Sequence, residues 1–296
     1  MDEFALIREV VTQLGDRAKG RWIDVGPGDD AAVISQTPDT QAVASIDTLV
    51  ANVHFPATAP AELIGYRALM VSMSDLAAMA ATPRYALVAL TLPTADVPWV
   101  KKMAQGMAEA ARACDTYICG GNFAKGELSI TVSVHGEVPE GAAVRRDGAQ
   151  KGDTIYVSGE LGAAAACVRL AEFQISNGTL SPLQARYFRP RARLDLVTQL
   201  QNHCSAAIDI SDGLLADLSH LCAASNVQGS VNSDLIPLHP HAKLRDALSG
   251  GDDYELLCTA AIAMPGMTPI GEISAGAGVF LDNQWVETKG FNHFGA

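Results

Sequence analysis

Asp29 and Asp30 follow Gly26-Pro27-Gly28, Asp47 closes Ser45-Ile46-Asp47, and Asp75 closes Ser72-Met73-Ser74-Asp75. Asn122 follows Gly120-Gly121, Asp209 and Asp212 bracket Ile210-Ser211, and Asp252, Asp253 and Glu255 surround Tyr254 after Gly250-Gly251. Six times, a carboxylate or its amide stands beside glycine or a small side chain. Glycine permits tight backbone, and carboxylates held on such backbone are poor core material and good ligands for a hard cation such as Mg²⁺. A chain that repeats the device reads as one that gathers several metal ions, and metals gathered by carboxylates commonly serve phosphate chemistry.

Each position also has a plainer reading. An aspartate next to glycine is ordinarily a turn or helix-cap residue. Asp75 resists that reading, because Met73, Leu76 and Met79 put it inside an apolar helix, where a charge must be solvated, paired or metal-bound. Asp209 ends an apolar strand, the place where α/β sheets present ligand groups. Ser211-Asp212-Gly213 fits the N-cap of the next helix, a role compatible with ligation. His54, with Phe55, follows Asp47 closely enough to face the same cleft, and Arg145-Arg146 is either a solvated pair or a fork for phosphate oxygens. Two familiar nucleotide motifs fail. Gly26 to Ala31 matches G-x-G-x-x-A, but two aspartates there would repel a pyrophosphate. Gly15 to Gly20 has P-loop spacing, yet Arg21-Trp22 stands where Lys-Ser/Thr is required.

The elements that must position these residues alternate. Phe4, Ile7, Val10, Val11 and Leu14 have helical spacing, with Asp2 placed to cap. Strands are expected at 31–35, 42–47, 86–92 and 128–134, and helices at 61–80 and from Pro98 to about Cys114. The Gly-rich, charged stretch from Pro139 to Asp153 marks a domain boundary, giving domains 1–140 and 141–296. Beyond it, strands are expected at 154–158, 206–210 and 254–260, helices at 161–174, 190–201 and 214–225, and a hairpin turn at Asp282-Asn283. Two α/β domains follow from this order.

With 296 residues and 48% hydrophobic content the chain can fill well-packed cores. Its formal charge of −12 argues against sequence-independent nucleic-acid binding and against an anionic membrane, which both need clustered Lys and Arg. A phosphorylated small molecule stays admissible if cations intervene, since two unit charges about 4 Å apart interact by ~4 kcal/mol at an effective dielectric near 20. The six cysteines form no C-x-x-C pair and read as small core residues of a reducing compartment. The acidic start Met1-Asp2-Glu3 and the lack of a long apolar run give the expectation of a cytoplasmic protein.

In this order the motifs resemble the thiamine-monophosphate kinase family, within the superfamily of aminoimidazole ribonucleotide synthetase and selenophosphate synthetase. The resemblance runs from Gly28-Asp29-Asp30-Ala31-Ala32-Val33 through Asp47-Thr48-Leu49-Val50, Val53-His54-Phe55, Ser74-Asp75-Leu76-Ala77-Ala78-Met79, Gly120-Gly121 and Arg145-Arg146-Asp147-Gly148-Ala149. It continues through Asp209-Ile210-Ser211-Asp212-Gly213-Leu214, Ser249-Gly250-Gly251, Tyr254-Glu255-Leu256-Leu257 and the closing Gly290-Phe291. It implies an α/β (α+β) fold of two domains, with an N-terminal domain that forms a β-barrel in a homodimer and a C-terminal α/β domain. It also implies ATP-dependent phosphorylation of thiamine monophosphate by direct in-line transfer, without a covalent nucleophile. Carried over by position, Asp30, Ser45, Ile46 through its backbone, Asp47, Asp75, Asn122, Asp209 and Asp212 would hold Mg²⁺. Gly121, Asn122, Arg146 and Ser211 would contact ATP, and His54, Asp252 and Phe291 the thiamine substrate. The chain departs from the family pattern at Asn122 and Asp252, which replace Asp and Glu, and is short between Leu238 and Ser249. These departures leave a second reading, a non-catalytic or retuned nucleotide-binding paralogue.

Overall fold

The structure, a computed structural model, describes residues 3–20, 22–175, 178–288 and 290. The chain divides into two compact units, one of Met1–Leu76 with Ala81–Gly141, the other of Ala77–Ala80 with Ala142–Ala296. The cap expected of Asp2 lies outside the described residues.

The first unit runs α1 (Glu3–Leu14), β1 (Ile23–Val25), β2 (Val33–Ile34), β3 (Thr40–Val50), α2 (Ala61–Ala78), β4 (Thr82–Leu92), α3 (Val97–Ala113), β5 (Tyr117–Lys125) and β6 (Ser129–Pro139). β1 and β2 form a small antiparallel pair, and the main sheet has the order β3-β6-β4-β5. β4 and β5 are parallel, joined by α3 as the crossover that a parallel pair requires; β6 runs antiparallel to both of its neighbours. α3 starts where Asp96 accepts the Trp99 N–H beside Pro98. β6 alternates strictly, with Ile130, Val132, Val134 and Val138 buried and Thr131, Ser133 and His135 half-buried between them. α2 and α3 cross at backbone contact. A Cβ on Gly65 would lie 2.0 Å from the Met103 carbonyl oxygen, and one on Gly106 would lie 1.8 Å from that of Glu62.

The second unit contains β7 (Thr154–Ser158), α4 (Ala163–Arg169), α5 (Pro182–Phe188), α6 (Val197–His203), β8 (Ala206–Asp209), α7 (Leu214–Ser225), β9 (Gln228–Val231), α8 (Leu244–Ser249), β10 (Leu256–Ala260), β11 (Met267–Ser274), β12 (Gly278–Leu281) and β13 (Gln284–Trp285). Its sheet has the order β13-β12-β9-β11-β7-β10-β8, antiparallel except between β9 and β12. β7, β8 and β10 are covered on both faces: Ile155, Val157 and Ile208 pack with Leu214, Leu218 and Leu221 of α7, while Tyr156, Ala207 and Cys258 pack with Leu196 and Leu200. The hairpin at Asp282-Asn283 is present, both residues having positive φ as a two-residue turn requires.

Candidate functional site

β3 and α2 assemble the first acidic group. On β3 the inward positions are Val43, Ser45, Asp47 and Leu49, and the outward positions 42, 44, 46 and 48 are exposed. Ser72 and Asp75, three apart on α2, share one helix face. The Ser45 hydroxyl donates to Asp75 Oδ2 at 2.5 Å. Burial raises the Asp47 carboxyl to about 6, the negative charge of Asp75 adds to that, and a hydrogen bond from Ser72 opposes it. Two carboxylates close enough to repel, with a hydroxyl on one of them, form a donor set that a divalent cation relieves.

The other expected residues of this unit sit on the loop after β1, on β5 and in the turn after β3. Asp30 sits on the exposed loop between β1 and β2, where its N–H donates to Asp29 Oδ1 at 2.8 Å. Gly120, Gly121 and Asn122 are not a turn, as their composition suggests, but part of β5. There Gly121 permits contact, since a Cβ would come within 2.0 Å of the Val88 carbonyl oxygen. Asn122 is exposed and pairs with Ala89, which pairs in turn with Thr131 and so with Thr48. That register puts Asn122 on the face that carries the Ile46 side chain, opposite the face of Asp47. His54 follows β3 in a tight turn, its Nδ1 accepting the Val50 N–H at 2.9 Å, so that Nε2 bears the ring proton of the neutral form.

In the second unit the acids gather where β8 and β10 meet their loops. Asp209, at the end of β8, is 4% exposed. The Ser211, Asp212 and Gly213 N–H groups all donate to Asp217 Oδ2, at 3.0, 3.0 and 3.2 Å. Burial pushes the Asp217 carboxyl up to about 7, and the charge of Asp212 adds to it. The loop 250–255 crosses this turn: Asp252 N–H donates to the Ser211 carbonyl at 2.9 Å and Tyr254 N–H to that of Ile210 at 2.8 Å. Asp252 and Tyr254 both have positive φ, rare for residues with side chains, and the Tyr254 hydroxyl donates to Asp252 Oδ1 at 3.0 Å. Below them Glu255, 2% exposed, accepts from Ser158 Oγ at 2.5 Å and Arg193 Nη1 at 2.6 Å. Asp253 accepts the Gly162 N–H, and burial holds its carboxyl well above the usual range. Arg146 is exposed, and its carbonyl accepts from Ser225 Oγ. Phe291 lies outside the described residues.

Among the described residues no three His, Cys, Asp or Glu side chains lie close enough to hold a metal alone. That fits Mg²⁺, which commonly takes one or two carboxylates and fills its octahedron with substrate phosphate and water. Burial drives the thiols of Cys114 to about 12 and of Cys119 and Cys222 to about 11, which makes them inert packing groups.

Comparison with known proteins decides the family. The N-terminal domain of AIR synthase related protein matches residues 28–138, and the C-terminal domain of the same family matches residues 150–283. The thiamine-monophosphate kinase of Salmonella typhimurium is 39% identical over 99% of this chain and 98% of that protein. The chain belongs to the AIR synthase related family, among its thiamine-monophosphate kinases. The Escherichia coli K12 kinase is 37% identical with the same coverage. Two solved members of this kinase group share its fold: thiamine-monophosphate kinase from Stenotrophomonas maltophilia K279a (TM-score 0.87, 38% identity, 97% of this chain and 98% of that one) and AaThiL complexed with AMPPCP and TMP (0.82, 32%, 99% and 97%). The two-domain AIR-synthase-like α/β architecture expected from the motifs is therefore that of the chain. Within one chain the four-stranded sheet of the first unit is open, with β3 and β5 at its edges.

Sequence reasoning missed Asp217 and the Arg193 partner of Glu255, and it read Asp253 only as one acid of the stretch 250–255. Asp217 had a readable signal: four residues after a helix-starting glycine, a carboxylate can fold back onto the N–H groups that precede the helix.

Proposed function

We infer that this chain transfers the γ-phosphoryl group of ATP to the phosphate of thiamine monophosphate, giving thiamine diphosphate and ADP. The observation that carries this reading is full-length likeness to thiamine-monophosphate kinases, 39% identity over 99% of the chain. The chemistry agrees with it. The acceptor is already a phosphate oxygen and needs no strong base, so the protein's task is to bring two anions together and offset charge spreading over the transferred group.

Asp47 and Asp75, with Ser45 and the Ile46 carbonyl, are the proposed Mg²⁺ ligands on β3 and α2. Asp30 and Asn122 are the further candidates of the first unit, and Asp209 and Asp212 those of the second. Mg²⁺ held there would supply the positive charge that lets a polyphosphate approach a chain of net charge −12. Gly121, Asn122, Arg146 and Ser211 are the proposed ATP contacts; Arg146 is suited to the role as an exposed guanidinium, and Gly121 as bare backbone. His54, Asp252 and Phe291 are the proposed thiamine contacts, with Asp252 supplying negative charge for a cationic ring. Domain 1–140 would then carry the dimer face with the first group of ATP and metal contacts, and domain 141–296 the ATP contacts Arg146 and Ser211 and the metal ligands Asp209 and Asp212.

A homodimer belongs to the same proposal. The outward face of the four-stranded sheet carries Ile46, 63% exposed, and Leu87, 36% exposed, among exposed alanines, an apolar face suited to the same face of a second copy. No helix among the described residues is long and apolar enough to cross a membrane. Six free cysteines and the use of ATP accord with the cytoplasm as the place of action.

Incubation of the purified protein with ATP, Mg²⁺ and thiamine monophosphate tests the reading. ADP and thiamine diphosphate are expected in equal amounts. ATP binding without ADP release would overturn it in favour of a non-catalytic paralogue.

A further inference from the structure

We propose that Asp217 is the positioning residue of the Ser211–Gly213 turn, acting through that turn's backbone and touching neither substrate nor metal. The function assigned to the turn rests on the kinase reading above; the geometry does not. β8 ends at Asp209 and α7 begins at Leu214, so four residues must reverse the chain and still present Ser211 and Asp212 in a defined place. Three of their N–H groups, those of Ser211, Asp212 and Gly213, converge on one oxygen, Asp217 Oδ2, at 3.0 to 3.2 Å. Asp217 is 2% exposed, so the three N–H groups have this oxygen, not bulk water, as their acceptor. A carboxylate accepts several N–H bonds more strongly than a neutral group, and its charge suits the first turn of α7.

The turn is pinned from its other side as well. The Ser211 carbonyl accepts from Asp252 N–H at 2.9 Å, and a Cβ on Gly251 would lie 2.3 Å from that carbonyl oxygen. Gly213 has φ +114°, a conformation that side chains rarely adopt, and a Cβ there would come 3.0 Å from Ser249. Carbonyl and N–H groups are thus committed in opposite directions, to the loop 250–255 and to Asp217. With the backbone held so, Asp217 sets where the Ser211 and Asp212 side chains sit. This role makes two sequence-distant acids, Asp212 and Asp252, one mechanical unit whose third member is a residue outside both motifs.

Hydrogen exchange followed by mass spectrometry on the full-length protein, without metal or nucleotide, tests the geometry. In the wild type, the amides of 211–213 are expected to exchange as slowly as those of the α7 core. In Asp217→Ala they should exchange about tenfold faster or more, since three buried donors lose their acceptor, while Asp217→Asn, which keeps an oxygen there, stays within roughly threefold of wild type. Kinetics test the consequence. Asp217→Ala should raise the Mg²⁺ concentration for half-maximal rate and lower kcat, each by about tenfold, with the KM for thiamine monophosphate changed less than about threefold, and Asp217→Asn should recover most of both. A lower melting temperature with unchanged exchange at 211–213 and unchanged Mg²⁺ dependence would make Asp217 merely structural and overturn the proposal. Fast exchange at 211–213 in the wild type would overturn it without any variant, even if Asp217→Ala does not fold. A wild type without kinase activity would sink the kinase reading and leave the exchange result to judge Asp217.

Discussion

Asp75 sets a second negative charge beside the buried Asp47 across the β3–α2 contact, which disfavours the ionised Asp47 until a cation arrives. Replacing either by asparagine removes a ligand charge and the repulsion together. Asp47→Asn and Asp75→Asn should therefore each lower turnover by at least about a hundredfold, the scale of losing one charge-stabilising group in a catalytic site. The metal-free melting temperature should stay the same or rise, because burial and the Asp75 charge already disfavour the ionised Asp47. Calorimetry beside a rate assay separates the two quantities, and a parallel fall in both would make the pair structural. Asn122 makes a second, sharper case. An amide oxygen ligates without charge, so Asn122→Asp should lower the Mg²⁺ needed for half-maximal rate if Asn122 is a ligand; an unchanged requirement would fit its exposed place on β5, level with Ala89, and remove it from the metal set. Asp75 was legible because a charge in an apolar helix demands a partner. Asp217 was missed, although its place four residues after Gly213 was a signal, because its partners are backbone N–H groups, which every residue carries.

At the scale of elements, glycine contacts and buried ion pairs decide which variants fold. α3 can cross α2 only because Gly106 has no side chain, since a Cβ would stand 1.8 Å from the Glu62 carbonyl oxygen. Gly106→Ala should force the helices apart and cost at least about 2 kcal/mol in urea unfolding, at the upper end of overpacking effects, despite alanine's better helix propensity. A neutral or stabilising result would mean that the helices slide past each other freely. In the second unit Asp246 of α8 accepts Arg169 Nε at 2.8 Å and Nη2 at 2.7 Å, a two-point link to α4. Burial pushes the Asp246 carboxyl up, but the Arg169 hydrogen bond, the Lys243 N–H and the Arg169 charge outweigh it and hold the group below its usual value. A carboxyl depressed in the fold stabilises fully above its unfolded pKa of about 3.9 and loses that contribution as pH falls through the lower folded value. Asp246→Asn should accordingly melt several degrees below wild type near neutral pH, and the gap should close in acid, below about pH 4. Helix α7, read at 214–225, was legible from its periodicity, and β3, β4 and β6 from alternation. β5 was not, because Cys119-Gly120-Gly121-Asn122 carries the composition of a turn while neighbouring β4 imposes a strand. α5 and β11 escaped for related reasons: seven residues give too little periodicity, and β11 shifts register between Pro269 and Gly271.

For the molecule as a whole, the open question is what covers the outward face of the first unit's sheet. Nothing in hydrophobic periodicity spoke of a dimer; that expectation came only from the resemblance to a family. A signal was nevertheless present in β3, whose outward positions are Ala42, Ala44, Ile46 and Thr48, where a solvated strand would carry charged groups. Leu87 of β4 lies on the same face, opposite Ser133 of β6, near the stacked rings of Tyr85 and His135 at 4.5 Å. Two copies related by a twofold axis would present this face to itself, so any charge placed on it meets its own image. Leu87→Glu should thus convert a particle of twice the 31.1 kDa chain mass into one of that mass, as read by light scattering after size exclusion. The fold should survive, because Leu87 is 36% exposed within one chain and carries little of that chain's core. Circular dichroism would confirm this, and the rate per chain would then report whether the acids on the opposite face of β3 need the partner for their alignment. A wild type that runs at 31.1 kDa at micromolar concentration would remove the dimer from the proposal while leaving the Asp47–Asp75 pair, and the chemistry built on it, untouched.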